Sequence, residues 1–512
     1  MGQDISTAVN PPPLTLTHCF VDGNIDISRY SIYKRRQALH DKCIFVRRKK
    51  RRYHSENNLL PDKIVAKNPR SVKRYKVLVR EDEGSLREIR PEDTLWYLLY
   101  VKNPPLNDRL LQQFRRRFRI PYETFLNLST DIKNDKGFDQ WSRSDAVGDR
   151  PMDIKLLLLG CLRYIGRAWT YDDIYEANGI SISTNRQFML RFIKYGSTVL
   201  YKKWVIDGRI SRNLNEQESL FRQAGFNGCI GSSDATHVPM LKCSQWASNS
   251  HKGFKLNVPA RTYNVTVDHS RRILQSTTGH PGTWNDKTLI LFDEYISGVH
   301  DGKMHNDFIF HLLEKDDNDQ IIEVAYKGVW FIVDNGYLSW SCTVPPSANG
   351  TTYQIIRFSE WLESVRKDVE CTFGIMKGRF AILRYGLRFQ SITRCDQMFL
   401  TCCALHNLLL DHDGLHNNWN ESYDHDTNEL PFAMSRLHQP TAVPQHIHQD
   451  RADILSDLTE RRNLVSACRK YTEDNCRVVN KMRLELFKQC LVNHFDIRFH
   501  KNDIKWPTRN QN

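Results

Sequence analysis

The hydrophobic pattern changes its period near residue 226 and divides the chain into two differently built parts. Between about 93 and 222, apolar residues recur at three- and four-residue steps, the period of amphipathic helices. Downstream, apolar residues form short runs bounded by turn residues, which are typical of strands. The pattern predicts a helical region followed by an α/β domain.

Four apolar runs predict the strands of the second part. Three read as consecutive strands, and the fourth has the nearly uninterrupted apolar composition of a strand covered on both faces: 228–240, 261–268, 272–279 and 328–334. Helices are predicted at 286–296, 365–380 and 398–410. Residues 223–412 are therefore expected to form one α/β domain.

The predicted helix at 365–380 carries a glutamate beside its apolar face. That apolar stripe is made by Val365, Val369, Phe373 and Met376. Glu370 is expected at the edge of the stripe rather than on the face of Arg366 and Lys367. A carboxylate in that place loses solvation unless a cation meets it. Taken alone, the stretch favours an ordinary flanking glutamate.

The helical part contains a helix, a glycine turn and a second helix. A short helix holding Ile174 and Ala177 leads to Gly179, and Ser181 can cap the next helix. This order predicts a helix-turn-helix that would present to a DNA groove Ser183, Thr184, Asn185 and Arg186. An ordinary helical hairpin has the same pattern, and the sequence leaves both interpretations open.

An earlier predicted helix separates apolar from basic residues. Its apolar positions run from Leu110 to Leu128 at helical spacing, with an interruption at Pro121. The opposite face is expected to carry Arg115, Arg116, Arg117 and Arg119. Arginines on an exposed face are suited to contacts with DNA phosphates.

Composition and charge favour a nucleic-acid partner. The 512-residue chain is 40% hydrophobic, which indicates a folded protein, and its net charge is +14 with a pI near 9.1. A basic block at 34–52 is expected to be an exposed arm for nuclear import or phosphate contact, with a solvated tail as the alternative. A membrane-surface role for this block is weak because no amphipathic helix adjoins it. No apolar run reaches the roughly 18–20 residues of a membrane span.

The remaining segments carry less chemistry. The expected organisation is a disordered basic arm at 1–92, a helix-turn-helix region at 93–222, the α/β domain at 223–412, a polar loop at 413–450 and a basic helical tail at 451–512. Histidines of the polar loop lack the partners of a metal site. Thirteen cysteines without a CxxC pair indicate a reduced, intracellular protein.

Three acids occupy positions where an unpaired charge is unfavourable. Asp234 lies on a predicted strand, Asp334 closes the most apolar strand, and Glu370 follows on a helix that can pack back onto the sheet. We expect both aspartates at carboxyl ends of strands, the usual ligand side of such sheets. Three carboxylates without an intervening positive charge require cations, and hard oxygen ligands suit Mg²⁺ or Mn²⁺. Asp286 is either a fourth ligand or the N-cap of its helix.

Four motifs in order resemble the PIF/Harbinger superfamily of DDE transposases. They are Asp234-Ala-Thr-His-Val, Pro281-Gly-Thr-Trp-Asn-Asp286, Val333-Asp334-Asn-Gly-Tyr337 and Val369-Glu370-Cys-Thr-Phe-Gly-Ile-Met-Lys-Gly-Arg-Phe380, followed by Cys403-Ala-Leu-His-Asn407. The resemblance implies an RNase H-like fold and a catalytic triad of Asp234, Asp334 and Glu370. It also places Asp286 with the metal ligands and a DNA-contacting loop at Lys252 and Lys255. The Glu370-Cys371 pair departs from the usual Glu-Arg.

These observations predict a nuclear, metal-dependent DNA nuclease that cuts and joins DNA at transposon ends. Two Mg²⁺ or Mn²⁺ ions would serve phosphodiester hydrolysis and transesterification. The expected partners are terminal-repeat and target DNA, a second copy of the chain and a separate Myb-like protein, with no membrane. The alternative is a host-adopted DNA-binding protein of the same fold that no longer transposes.

Overall fold

The computed structural model describes residues 20–21, 24–25, 78–80, 86–105, 107–142, 152–253, 255–347, 352–413 and 476–504. The chain divides into two compact units, Met1–Lys76 and Val77–Asn512. In the first unit, β1 (Phe20–Val21) pairs antiparallel with β2 (Asn24–Ile25). The predicted basic block at 34–52 and all but the first residue of the predicted polar loop lie outside the described residues.

The second unit begins with a hairpin and a series of helices. Strand β3 (Leu78–Arg80) pairs antiparallel with β4 (Leu86–Glu88). The α-helices that follow are α1 (Asp108–Phe118), α2 (Tyr122–Asn134), α3 (Asp139–Ser142), α4 (Ile154–Arg167), α5 (Tyr171–Asn178), α6 (Ile182–Tyr195), α7 (Gly208–Ile210) and α8 (Leu214–Gln223). Single 3₁₀ turns lie at Pro91–Asp93 and Lys136–Phe138, and π-helical turns at Tyr97–Lys102, Gly196–Leu200 and Lys202–Asp207.

One predicted arginine of the first helix is placed differently by the structure. Arg119 is buried rather than exposed, and its left-handed backbone conformation, with φ of 63°, ends α1. The chain turns there before Pro121, so Arg119 leaves the helical periodicity that the sequence pattern assumed. Arg115, Arg116 and Arg117 are exposed as predicted.

A mixed sheet forms the centre of the predicted α/β domain. Its strands are β5 (Cys229–Pro239), β6 (Ala260–Val267), β7 (Ile273–Ser276), β8 (His280–Pro281), β11 (Trp330–Ile332) and β12 (Thr343–Val344). The order is β12-β11-β5-β6-β7, with β8 paired to β6. Strands β11 and β12 run parallel to β5, whereas β6 is antiparallel to β5 and β7 to β6. A central first strand with an antiparallel meander on one side and parallel strands on the other fits the predicted RNase H-like domain.

The structure adds a hairpin that the sequence reasoning missed. Strand β9 (Ile309–Lys315) pairs antiparallel with β10 (Ile321–Lys327) outside the main sheet. The remaining helices are α9 (Gln245–His251), α10 (Asp286–Ile290), α11 (Glu294–His300), α12 (Tyr353–Arg379), α13 (Ala381–Tyr385), α14 (Ile392–His412) and α15 (Cys476–His500). The single helix predicted at 286–296 is therefore two short helices.

Buried polar contacts fix α12 and α14 against the sheet. Asp368 of α12 accepts a hydrogen bond from His269 at 2.5 Å and contacts Arg271 at 3.4 Å, both in the turn between β6 and β7. Asn407 of α14 pairs with the N–H and the C=O of Ile273 at 3.0 and 2.8 Å. The Asn407 amide thus satisfies backbone groups of the edge strand β7 that would otherwise be unpaired.

The helical region and the sheet share one hydrophobic core. It includes Phe188 of α6, Val265 of β6 and Phe399 of α14. Helix α15 closes the other side of the sheet, where Phe495 stacks on Phe226 at a ring-centroid distance of 5.6 Å. None of the helices in the described part of the chain is long and apolar enough to cross a membrane.

Candidate active site

Strand register places Asp234 beside Asp334. Ser232 of β5 pairs in parallel with Ile332 of β11, and each aspartate follows its paired residue by two positions. Residues two apart on a strand share a face, so the two carboxylates emerge from neighbouring strands on the same side. Asp334 lies just past the end of β11, as predicted. Asp234 lies within β5 rather than at its carboxyl end, because β5 continues to Pro239 along β6.

The carboxylate of Asp286 lies close to that of Asp334, next to Gly336. Asp334 Oδ1 accepts a hydrogen bond from the Gly336 N–H at 2.7 Å. Asp334 Oδ1 and Asp286 Oδ2 each lie 2.9 Å from the point that a Cβ on Gly336 would occupy. The two carboxylates are therefore no more than twice that distance apart, and a side chain at Gly336 would displace them.

The structure excludes the N-cap interpretation of Asp286. The N-cap of α10 is Asn285, whose side chain accepts a hydrogen bond from the Thr288 N–H at 2.9 Å. Asp286 is the first residue inside that helix. Its carboxylate is consequently not used for capping and turns towards Asp334.

The three aspartates perturb one another electrostatically. The pKa of Asp234 is raised to about 6, chiefly by burial; the Ala235 N–H and Arg366 oppose this increase, and the negative charges of Asp334 and Asp286 add to it. Burial also raises the pKa of Asp286; Lys255 opposes this increase and Asp334 adds to it. A partly buried cluster of like charges favours the binding of a cation.

The predicted environment of Glu370 is wrong in two respects. Its side chain is 46% exposed rather than desolvated, although Val365, Val369 and Met376 are buried as expected. A positive charge does stand among the acids: Arg366 Nη2 lies 2.8 Å from Glu370 Oε1, and Arg366 Nη1 lies 3.4 Å from Asp234 Oδ2. Helical geometry explains the first contact, because residues four apart on a helix are neighbours.

Arg366 is held in that place by a further glutamate. Its guanidinium makes two hydrogen bonds to the Glu363 carboxylate, at 2.6 and 2.9 Å. Burial lowers the pKa of Arg366, and the three carboxylates more than reverse this, so the net shift is upward. The structure thus brings Asp234, Asp286 and Asp334 together directly and links Glu370 to them through Arg366.

The donor set fits a hard divalent cation. All the clustered ligands are carboxylate oxygens, which Mg²⁺ and Mn²⁺ prefer. Two of them face a common point above Gly336, which has no side chain to fill it. Among the residues that the structure describes, however, no three His, Cys, Asp or Glu side chains are already arranged to hold a metal ion. With Glu370 paired to Arg366, the fourth predicted ligand stands apart.

Basic residues lie next to the acids. Lys252 and Lys255 are exposed, as expected of a DNA-contacting loop. Close packing fixes this loop against the one that carries Asp286, because a Cβ on Gly253 would lie 2.0 Å from the Gly282 carbonyl oxygen. His237 lies nearby, and burial followed by the charges of Lys255 and Lys377 lowers its pKa to about 4. His237 is therefore neutral at pH 7, and the lysines supply the positive charge.

The predicted helix-turn-helix residues are only partly available to DNA. Gly179 has the left-handed conformation and Ser181 caps α6, so the expected helices and turn are present. Ser183 and Arg186 are exposed and Thr184 is partly exposed. The prediction that Asn185 is exposed is wrong: its amide donates to the Ile180 carbonyl at 2.7 Å, inside the turn.

Two of the predicted DNA-contacting arginines also have structural partners. Arg115 forms an ion pair with Asp413 at 2.8 Å, and Arg117 donates to the Tyr100 hydroxyl at 2.7 Å. Arg116 makes no ion pair with any residue that the structure describes. Contacts with DNA at all three positions stay a prediction.

The sequence reasoning missed residues that the structure adds to the site. Arg366 and Glu363 belong to it, and so does Tyr337, whose buried hydroxyl donates to Asn264 at 2.5 Å. Because Arg366 lies four residues before Glu370 on a helix, the sequence did carry a signal for the contact between these two side chains. The contact of Arg366 with Asp234 depends on the packing of α12 against β5 and has no local signal.

Comparison with known proteins agrees with this geometry. Residues 233–407 match the family described as DDE superfamily endonuclease. Over this segment the chain is similar to DDE superfamily endonucleases. The match begins one residue before Asp234, ends at Asn407 and so includes all four acids. The predicted relationship to the Harbinger nucleases is confirmed at the level of the family.

Two curated relatives extend the similarity. Protein ALP1-like of Arabidopsis thaliana is 24% identical over 308 residues, which cover 58% of this chain and 70% of that protein. Putative nuclease HARBI1 of Xenopus laevis is 23% identical over 207 residues, which cover 38% of this chain and half of that protein. No solved structure matches the chain.

Proposed function

We propose that this protein is a divalent-metal-dependent DNA endonuclease that cuts and joins DNA at transposon ends. The observation that carries the proposal is the convergence of Asp234, Asp286 and Asp334 within a DDE endonuclease domain. Burial and neighbouring negative charge raise the pKa of Asp234 and Asp286, so their ionised forms are unfavourable in this place without a cation. Their position is explained if they bind a cation during phosphodiester chemistry.

The acids and lysines have separate roles in this proposal. Asp234, Asp286 and Asp334 would hold Mg²⁺ or Mn²⁺, with Glu370 as a further ligand if its contact with Arg366 opened. Bound there, such ions would activate a water or a 3′-hydroxyl and stabilise the leaving oxygen. Lys252 and Lys255, exposed beside Asp286, contact the DNA phosphates.

Other basic and polar residues hold DNA away from the acids. Arg115, Arg116 and Arg117 on α1, together with Ser183, Thr184 and Arg186 on α6, would contact the terminal repeats. The basic composition and the family relationship support action in the nucleus, on terminal-repeat and target DNA. The proposed protein partners are a second copy of the chain and a separate Myb-like protein.

A second candidate function is a host-adopted DNA-binding protein of the same fold. One contact favours it: Arg366 pairs with Asp234 and Glu370, so the carboxylates are partly neutralised without a metal ion. In this alternative the arginine replaces the cation permanently and the chemistry is lost. The presence of all four acids favours the catalytic function.

Cleavage of terminal-repeat DNA decides between the two functions. Labelled DNA carrying the inverted repeats that flank the gene is incubated with full-length protein and Mg²⁺, beside Asp334→Asn and Glu370→Gln variants. The catalytic proposal predicts strand cleavage by the wild type and a loss of at least a hundredfold in both variants. Equal cutting by wild type and variants would overturn it, whereas binding without cutting would support the alternative.

A further inference from the structure

An open cavity of about 300 Å³ lies beside Asp334. Asp334 and Asn335 form part of its wall, and Pro345 and Pro346 form another part. Helix α15 completes it with Glu485 and Lys488. The C-terminal helix therefore borders the same sheet edge as the acid cluster, although it lies outside the segment that matches the endonuclease family.

Lys488 is an unusual residue in this wall. Its side chain is buried, with 7% exposure, yet it makes no hydrogen bond or ion pair with any residue that the structure describes. Burial lowers its pKa, against the weaker opposing effect of Glu485 one turn earlier on α15. An ammonium group that is largely shielded from water and has no protein partner is unfavourable, and an anion in the cavity would offset this cost.

The size and lining of the cavity restrict what it can accept. A volume of about 300 Å³ corresponds to roughly ten water molecules, which is room for one nucleotide and too little for a helix or strand. Ser339, Ser347 and Asn335 offer hydrogen-bonding groups, and the two prolines offer an apolar surface to a base. The lysine, the hydrogen-bonding groups and the apolar wall together match the parts of a nucleotide.

We propose that this cavity binds a single nucleotide of the DNA strand whose phosphodiester lies at Asp334, with the Lys488 ammonium contacting its phosphate. The proposal rests on the proposed function, because it assumes that DNA reaches the acids. A nucleotide held on this side fixes the position of the neighbouring phosphodiester relative to Asp334. Helix α15 then contributes to substrate positioning from outside the endonuclease domain.

Binding of free nucleotides tests the cavity independently of catalysis. Each of the four deoxynucleoside 5′-monophosphates is titrated into full-length protein in EDTA, and binding is followed by saturation-transfer NMR. We expect millimolar binding that Lys488→Met weakens at least tenfold. Lys481→Met is the matched control, because Lys481 is exposed on the same helix, and it should bind as wild type does.

A second variant separates a loss of nucleotide binding from a loss of folding. Ser339 is exposed at the cavity, so Ser339→Trp should obstruct it without disturbing the core. Nucleotide binding that is absent in wild type, or unchanged in both Lys488→Met and Ser339→Trp, overturns the proposal. Equal affinity for inorganic phosphate would overturn the nucleotide assignment and leave an anion site. Because EDTA excludes metal chemistry, a failure of DNA cleavage does not alter this result.

Discussion

Asp234→Asn is expected to stabilise the metal-free protein at pH 7.5. The pKa of Asp234 rises from an ordinary value of 3.8 to about 6 on folding, chiefly through burial. The folded state therefore binds the proton more tightly than the unfolded state. The resulting stabilisation is complete below pH 3.8 and is lost as the pH rises through about 6. An asparagine stays neutral and avoids that loss.

The size of the effect follows from the difference between the two pKa values. Each pKa unit corresponds to about 1.4 kcal/mol, which gives an upper value of about 3 kcal/mol at pH 7.5. The Asp234 side chain is only 14% exposed, so solvent screening removes little of it. An asparagine oxygen can still accept the Ala235 N–H bond of 2.7 Å. The attraction to Arg366 is already included in the pKa of about 6, so it does not reduce this value a second time.

Urea unfolding in EDTA at pH 7.5 and pH 4 measures this difference. Asp234→Asn should be more stable than wild type at pH 7.5, and its advantage should fall below about 1 kcal/mol at pH 4. Asp301→Asn is the control: Asp301 is exposed and forms its ion pair with exposed Lys303, so its effect should stay within about 0.5 kcal/mol. A destabilised Asp234→Asn variant at pH 7.5, or an advantage independent of pH, would refute the reasoning.

Three further substitutions test other contacts. Arg357→Met removes the ion pair of Arg357 with partly buried Asp496 at 3.0 Å, although Gln354 still donates to Asp496 at 2.9 Å. The loss should be about 1.5–3 kcal/mol in urea unfolding, and a loss below about 0.5 kcal/mol would contradict the role of this pair. Asn407→Leu unpairs the backbone of Ile273, so hydrogen exchange of that amide should accelerate at least tenfold, and unchanged protection would disprove the edge contact. Glu370→Gln should change stability by less than about 0.5 kcal/mol because Glu370 is half exposed, while DNA cleavage is lost; wild-type cleavage would remove Glu370 from the reaction.

Local pattern was sufficient to predict the strands that carry the two central acids. An apolar run ending in Asp334 and a strand containing Asp234 could be read directly, because strand length and composition are local properties. Their convergence followed from the expected α/β arrangement, and the parallel register of β5 and β11 provides it. Gly336, which leaves space between Asp286 and Asp334, could be assigned only from three-dimensional contacts.

Long-range contacts account for what the sequence reasoning missed. Arg366 reaches Asp234 because α12 lies across β5, a relation that helical periodicity cannot specify. Asn185 occupies a position expected to face DNA, yet its side-chain amide donates a hydrogen bond to the Ile180 carbonyl in the preceding turn. The hairpin β9–β10 did carry a local signal, since alternating residues flank the Asp316–Asp319 turn. Lys488 gave no signal at all, because its burial depends on packing between the distant C-terminal helix and the sheet.

Direct measurement of Mn²⁺ binding tests the central claim, that Asp234, Asp286 and Asp334 converge to hold a divalent cation. Full-length wild type, Asp334→Asn, Asp286→Asn and the exposed control Asp301→Asn are titrated with Mn²⁺, and free ion is counted by electron paramagnetic resonance. Wild type and Asp301→Asn should bind Mn²⁺ with equal affinity, and each of the two site variants should bind at least tenfold more weakly. Undiminished binding by Asp334→Asn and Asp286→Asn, or no binding by wild type, would contradict the account.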